Sequence, residues 1–141
     1  MSQEKTKAAV IKAVDARIKL LDPTPVVSWP NKKFTPPPTT WIRVTYMPSQ
    51  DSTETLGEGG EQELLGIVQI DINILTDTGE KTQNLILAQL EAYFVPGKRF
   101  TYQSQTVNFV SCNRSSGRII DSFFRVSISV SFYARYFRPA L

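Results

Sequence analysis

The stretch from Gly66 to Leu75, GIVQIDINIL, constrains the fold more than any other part of the chain. From Val68 to Ile74, β-branched apolar residues alternate with polar ones, so an extended strand would have one apolar and one polar face. Residues 123–133, FFRVSISVSFY, repeat this pattern. Two long strands that are apolar on one face only favour an antiparallel sheet with that face covered by other elements.

Two segments have the helical repeat that could cover such a face. Residues 1–21 carry an apolar stripe with spacings of three and four residues, and Asp22-Pro23 ends this predicted helix. Asp77 and Glu80 have the spacing of a capping box at the start of a second helix, which Pro96-Gly97 ends. The first stripe consists of Val10, Val14, Ile18 and Leu21, with Ile11 beside it.

Residues 41–46 (WIRVTY) and 106–112 (TVNFVSC) predict two further strands, and 113–117 (NRSSG) has the residues of a turn. The predicted order is helix, strand, strand, helix, strand, strand. This order predicts an α+β fold, with an antiparallel or mixed sheet of about four strands and two helices packed on one face. Residues 1–141 are expected to form a single domain.

Two connections stand out by composition. Residues 22–40 contain six of the nine prolines, which favours a stiff surface connection held to the domain by Trp29 and Phe34. Docking of this segment on a proline-binding partner is the less favoured alternative. Residues 47–63 are acidic and rich in glycine, and we expect either a long flexible hairpin arm or an irregular loop there.

Charge is distributed unevenly along the chain. Residues 1–46 carry eight basic and three acidic groups (+5), and residues 96–141 carry seven and one (+6). Residues 47–63 carry five acidic groups and no basic one (−5), and residues 64–95 carry four and one (−3). This asymmetry favours electrostatic contact between copies or with protein partners over nucleic-acid binding, which usually requires a stronger basic excess.

The composition excludes several kinds of site. The chain has no histidine and one cysteine, Cys112, so Ser-His and Cys-His catalysis, histidine-containing metal sites and zinc knuckles are excluded. Asp71 and Asp121 could form a carboxylate pair, but we interpret them as solvated charges. We therefore expect no enzyme activity, catalytic residue, metal or cofactor. No apolar run approaches the length of about 20 residues that spans a membrane, and we expect no secretion signal.

The order of several segments resembles the tail terminator-like (tail completion) proteins of long-tailed bacteriophages. Residues 26–48, VVSWPNKKFTPPPTTWIRVTYMP, are followed by the acidic TETLGEGG, the strand GIVQIDINI, a helix ending in AYFVPG and the closing FFRVSISVSF. The resemblance covers nearly the whole chain. The family commonly has a Trp-Tyr pair in the last strand, where this chain has Phe123-Phe124.

This resemblance implies a structural virion protein that is assembled in the host bacterial cytoplasm. Such proteins form a ring, typically of about six copies, because each copy contacts the next through unlike surfaces. The ring caps the head-proximal end of the tail tube, terminates polymerisation and provides the surface for head-tail joining. The implied partners are further copies of the chain, the tail tube protein and head-completion or connector proteins, without a membrane and without direct nucleic-acid readout.

Candidate residues for contacts between subunits or with the tube come from the acidic arm and from the basic, aromatic end of the chain. They are Asp51, Glu54, Glu58, Glu61, Glu63, Arg125, Arg135, Tyr136 and Arg138. Three alternatives are weighed against the terminator. These are a neck or head-tail connector protein, a nucleic-acid-binding module that uses the aromatic, arginine-rich end, and, least favoured, a small hydrolase.

Overall fold

A computed structural model describes residues 2–21, 24–53 and 60–137. These residues form two helices and seven strands. Their bounds, in chain order, are α1 Ser2–Ile18, β1 Val26–Ser28, β2 Trp41–Thr53, β3 Glu61–Leu75, α2 Lys81–Tyr93, β4 Arg99–Tyr102, β5 Gln105–Arg114, β6 Arg118–Ile120 and β7 Phe123–Phe137.

All seven strands belong to one sheet. Its spatial order is β1-β2-β3-β7-β5-β4, and β6 pairs with the first part of β7. β1 runs parallel to β2, and every other pair is antiparallel, so the sheet is mixed. β3 and β7 are paired from Glu61–Phe137 to Leu75–Phe123, which makes these two long strands the centre of the sheet.

The predicted α+β fold with about four strands is therefore wrong, because the protein is mostly sheet and has seven strands. The three strands that the sequence did not reveal are β1, β4 and β6, which have three, four and three residues. Such short strands contain too few residues to display an alternating pattern. β1 also lies in the proline-rich segment.

The two alternating sequences do face the same core. In register, Ile42 lies beside Ile72 and Val44 beside Ile70, while Ile70 in turn lies beside Ile128. These side chains, with their neighbours in β5 and β7, pack under buried residues of both helices. The helical residues are Ala9, Val10, Ala13, Val14 and Ile18 of α1, and Ile86, Leu87 and Leu90 of α2.

α1 has its predicted apolar stripe against the sheet, and the predicted end at Asp22-Pro23 lies outside the described residues. The capping box predicted for α2 is wrong. The residue before the helix is Glu80, which makes no side-chain capping hydrogen bond, and Asp77 lies in the preceding turn with a φ of 65°. α2 is instead held to the sheet by Gln83, whose fully buried amide donates to the carbonyl oxygens of Ile72 (2.9 Å) and Phe124 (3.2 Å).

The acidic segment is partly built into the sheet. β2 and β3 remain paired as far as Thr53 and Gln62, with a register shift between Pro48 and Gln50. Gly66, where this extension begins, lies close under Phe132, since a Cβ atom there would be 2.6 Å from the Phe132 ring. Of the two alternatives for residues 47–63, the described part has the hairpin. Residues 54–59 lie outside the described residues, and the flexibility of the arm remains a prediction.

Candidate functional site

The face of the sheet opposite the helices carries a buried polar cluster at one end, which we call the outer-face cluster: Gln69, Asp71, Asn73, Arg125 and Ser127. Asp71 is only 2% exposed and Asn73 is fully buried. The interpretation of Asp71 as a solvated charge is therefore wrong. The second candidate carboxylate, Asp121, is exposed.

Hydrogen bonds satisfy the Asp71 carboxylate. Its Oδ1 accepts from the Gln69 side-chain amide (2.8 Å) and from the Ser127 hydroxyl. Its Oδ2 lies 3.9 Å from the Arg125 guanidinium, whose Nε donates to Asn73 Oδ1 at 2.7 Å. Arg118 reaches the same place, donating to Ser127 Oγ at 3.4 Å. A buried carboxylate that is paired and hydrogen-bonded in this way holds neighbouring strands together.

The charge of this cluster affects Arg125. Burial lowers the pKa of the Arg125 guanidinium, Asp71 raises it, and the nearby cations Arg43 and Arg118 lower it. The cluster contains one carboxylate, and its hydrogen bond to Ser127 and its contact with Arg125 join β3 to β7. Among the described residues, no group of three His, Cys, Asp or Glu side chains is placed to hold a metal ion.

The proline-rich segment covers the neighbouring part of the outer face. The Phe34 ring lies 5.0 Å from the ring of Trp41, and Phe123 meets Trp41 edge-on at 5.6 Å. Trp41 is 3% exposed as a result. The expectation that Phe34 holds this segment to the domain is confirmed, and Trp29 also packs against the core.

Two predicted interface residues of the arm, Glu61 and Glu63, meet a third predicted interface residue, Arg135, within one chain. Arg135 of β7 lies 3.1 Å from Glu63 and 3.9 Å from Glu61, both of β3. Exposed pairs of this kind each contribute only about 0.2–1 kcal/mol to stability. Because these three charged groups connect β3 with β7, their main effect is to favour the observed pairing register of these two strands.

The other predicted interface residues lie in different places. Arg125 belongs to the outer-face cluster, and Tyr136 is half-buried in β7, beside Gln62. Asp51 pairs through its backbone with Leu64 in the β2–β3 hairpin. Three further candidates, Glu54, Glu58 and Arg138, lie outside the described residues.

A basic groove follows the edge of β2, and it was not among the sites predicted from the sequence. It has a volume of about 550 Å³, and its walls are residues 28–34 and 43–46, including Lys32, Lys33 and Arg43. A hollow of about 440 Å³ adjoins it at Trp29, Pro30 and Lys32 and adds Lys7 and Lys12 of α1. We call the two together the basic groove. Two features of the sequence could have indicated this groove, namely the adjacent Lys32 and Lys33 and the net charge of +5 on residues 1–46.

The decisive comparison is with protein families. A family model described as phage tail terminator protein matches residues 9–132, nearly the whole chain. The chain belongs to the phage tail terminator family. The resemblance expected from the order of its segments is thus confirmed, and membership makes this tail terminator a structural, non-enzymatic component of the bacteriophage tail.

A solved structure supports the same fold for this tail terminator. It is 25% identical in sequence, and the match covers 99% of each chain with a TM-score of 0.78. Among curated proteins no significant match is found. In the part of the tail terminator that the structure describes, no helix is long and apolar enough to cross a membrane.

Proposed function

We propose that the protein forms a ring of about six copies that caps the head-proximal end of a phage tail tube. In this position the ring ends tube polymerisation and presents the surface on which the head is joined. The observation that carries the proposal is the family match over residues 9–132. The proposed partners are other copies of the chain, the tail tube protein and head-completion proteins.

Two features of the fold support assembly through unlike surfaces. From Val44 onwards, no described strand pairs with the outer edge of β2, since β1 covers only Trp41 to Arg43. An open strand edge offers unpaired backbone groups to another chain. The acidic arm and the basic groove are also surfaces of opposite charge on one molecule. A contact between unlike surfaces repeats from copy to copy and closes into a ring if the rotation is right.

The test is the mass in solution, measured by light scattering behind a sizing column over a concentration series. We expect a species near about six times 15.9 kDa, or a concentration-dependent rise towards it. If the chain stays monomeric, purified tail tubes are added, and we expect it to bind to one tube end. A monomer that neither assembles nor binds tubes contradicts the proposal, and binding to the portal side instead indicates a neck protein.

A further inference from the structure

The basic groove has an excess of positive charge that the described part of the chain does not neutralise. Among the described residues, none of its five cations, Lys7, Lys12, Lys32, Lys33 and Arg43, forms an ion pair with a carboxylate. The one acidic residue in its wall, Asp15, is paired with Lys19 at 2.9 Å. Uncompensated charges concentrated in a groove attract a partner of opposite charge.

Aromatic side chains hold part of this charge in place. The ammonium group of Lys7 lies 5.6 Å from the centre of the Tyr46 ring, and that of Lys12 lies 5.7 Å from the centre of the Tyr102 ring. Arg43 lies 5.4 Å from the Trp41 ring. Cations that are positioned over rings lose less side-chain freedom when a partner binds.

The edge of β2 gives the groove a second way to bind. Val44, Thr45 and Tyr46 form one wall, and they lie just beyond the last residue of β2 that pairs with β1. Along this side β2 has no neighbouring strand in the described part of the chain. An extended acidic segment could therefore form backbone hydrogen bonds with the edge while its carboxylates meet the lysines.

The chain contains one segment of the required chemistry, the acidic arm of residues 47–63, with five acidic groups and no basic one. The described part of the arm leads away from the groove of its own subunit. β2 runs on from Tyr46 to Thr53 as a paired strand, a distance of about 23 Å.

We propose that the basic groove of one subunit receives the acidic arm of a neighbouring subunit. This contact rests on the proposed ring and defines its two unlike surfaces. The arm of each copy lies across the β2 edge of the next, so every copy gives one arm and accepts one. Lys32 and Lys33 are the main groove contacts for Glu54 and Glu58.

Charge reversal on the two sides tests the contact. The groove variant is K32E/K33E, the arm variant is E54K/E58K, and a third variant combines the four changes. K5E/K81E is the matched control, because it makes the same change in net charge at two other exposed lysines. Circular dichroism establishes that each variant is folded. Assembly is then measured by sedimentation, in solution or on tail tubes, whichever the wild-type chain requires.

We expect each single-side variant to raise the concentration needed for assembly by about tenfold or more. The combined variant is expected to return to near the wild-type value, since opposite charges face each other again. The control is expected to change the value by less than about twofold, because isolated surface charges contribute little. Assembly of K32E/K33E at the control value, or failure of the combined variant to recover, overturns the proposed contact and leaves the ring itself standing.

Two other outcomes would overturn the proposed contact for different reasons. If the wild-type chain neither assembles nor binds tubes, the proposed function fails, and the contact fails with it. A labelled DNA duplex and single strand are also tested by gel shift at low salt. If K32E/K33E abolishes DNA binding while assembly is unchanged, the groove is a nucleic-acid site and the proposed contact is overturned.

Discussion

Asp71 shows what the sequence establishes at the scale of one residue. Alternation correctly places Asp71 on the polar face of β3, opposite Val68 and Ile70. It does not predict that this face is covered, because Phe34 and Ser127, which contribute to the cover and the hydrogen bonds, are distant in sequence. Burial of a polar residue therefore could not be predicted from the local pattern.

The substitution Asp71→Asn tests the role of this carboxylate. It keeps the size of the side chain and removes the charge that compensates the mostly buried Arg125. We expect the free energy of unfolding to fall by about 2–3 kcal/mol, as for other buried pairs that lose one partner. Urea denaturation measures the effect. Asp121→Asn is the matched control at an exposed carboxylate, and an equal loss in both variants contradicts the proposed role.

Cys112 gives a prediction of pH dependence. It is half-buried against the core, and burial together with the nearby Glu91 raises the pKa of its thiol to about 11, against an opposing effect of Arg114. The reactive thiolate is therefore scarce in the folded protein at neutral and mildly alkaline pH. We expect the rate of alkylation by iodoacetamide to have its midpoint near pH 11. The urea-unfolded chain, as control, is expected to have its midpoint near about pH 8.5, and equal midpoints contradict the prediction.

At the scale of elements, the helices and the long strands were predictable from their periodic sequence patterns, and the short strands were not. Both helices and the four longer strands have enough residues to show their period, although β2 and β3 extend further into the acidic segment than predicted. The boundary of α2 was predicted wrongly because Asp77 adopts a left-handed turn conformation. Asp is one of the residues that tolerate this conformation, so the same side chain suits a turn and a cap.

Deletion of residues 51–61 tests whether the arm is separate from the core. These residues lie beyond Leu64, the last buried core residue of β3 towards the arm. We expect the shortened chain to remain folded, with its far-ultraviolet circular dichroism spectrum retained, and to assemble poorly. The variant E54Q/E58Q keeps the length of the arm and removes two charges, and we expect it to remain folded and to assemble poorly as well. An unfolded deletion variant would show that the arm is needed for the core.

At the scale of the whole molecule, the helices and the sheet share one core. Buried residues of α1, α2 and four strands belong to a single hydrophobic cluster, and the outer-face cluster joins β3 to β7 from the other side. The single domain stays a prediction, which this arrangement favours because neither helix can leave without exposing the same core. The individual interface residues stay predictions, since their roles depend on the proposed neighbouring subunit.

Unfolding should accordingly be one cooperative transition. Trp29 packs against the core and Trp41 lies on the outer face, so their fluorescence reports on both sides of the sheet, and far-ultraviolet circular dichroism reports on helices and strands together. We expect the two signals to follow the same curve in urea. The measurement is made under conditions where the chain is monomeric. Separate midpoints would indicate two independently unfolding parts.

The position of β7 has a consequence for biosynthesis. It lies between β3 and β5 in the middle of the sheet, yet in chain order it follows every other element. When all of the preceding elements have emerged from the ribosome, the strand that joins the two halves of the sheet has not yet emerged. The native core therefore closes only after β7 emerges, and a nascent chain cannot complete its sheet before its own translation has passed that strand.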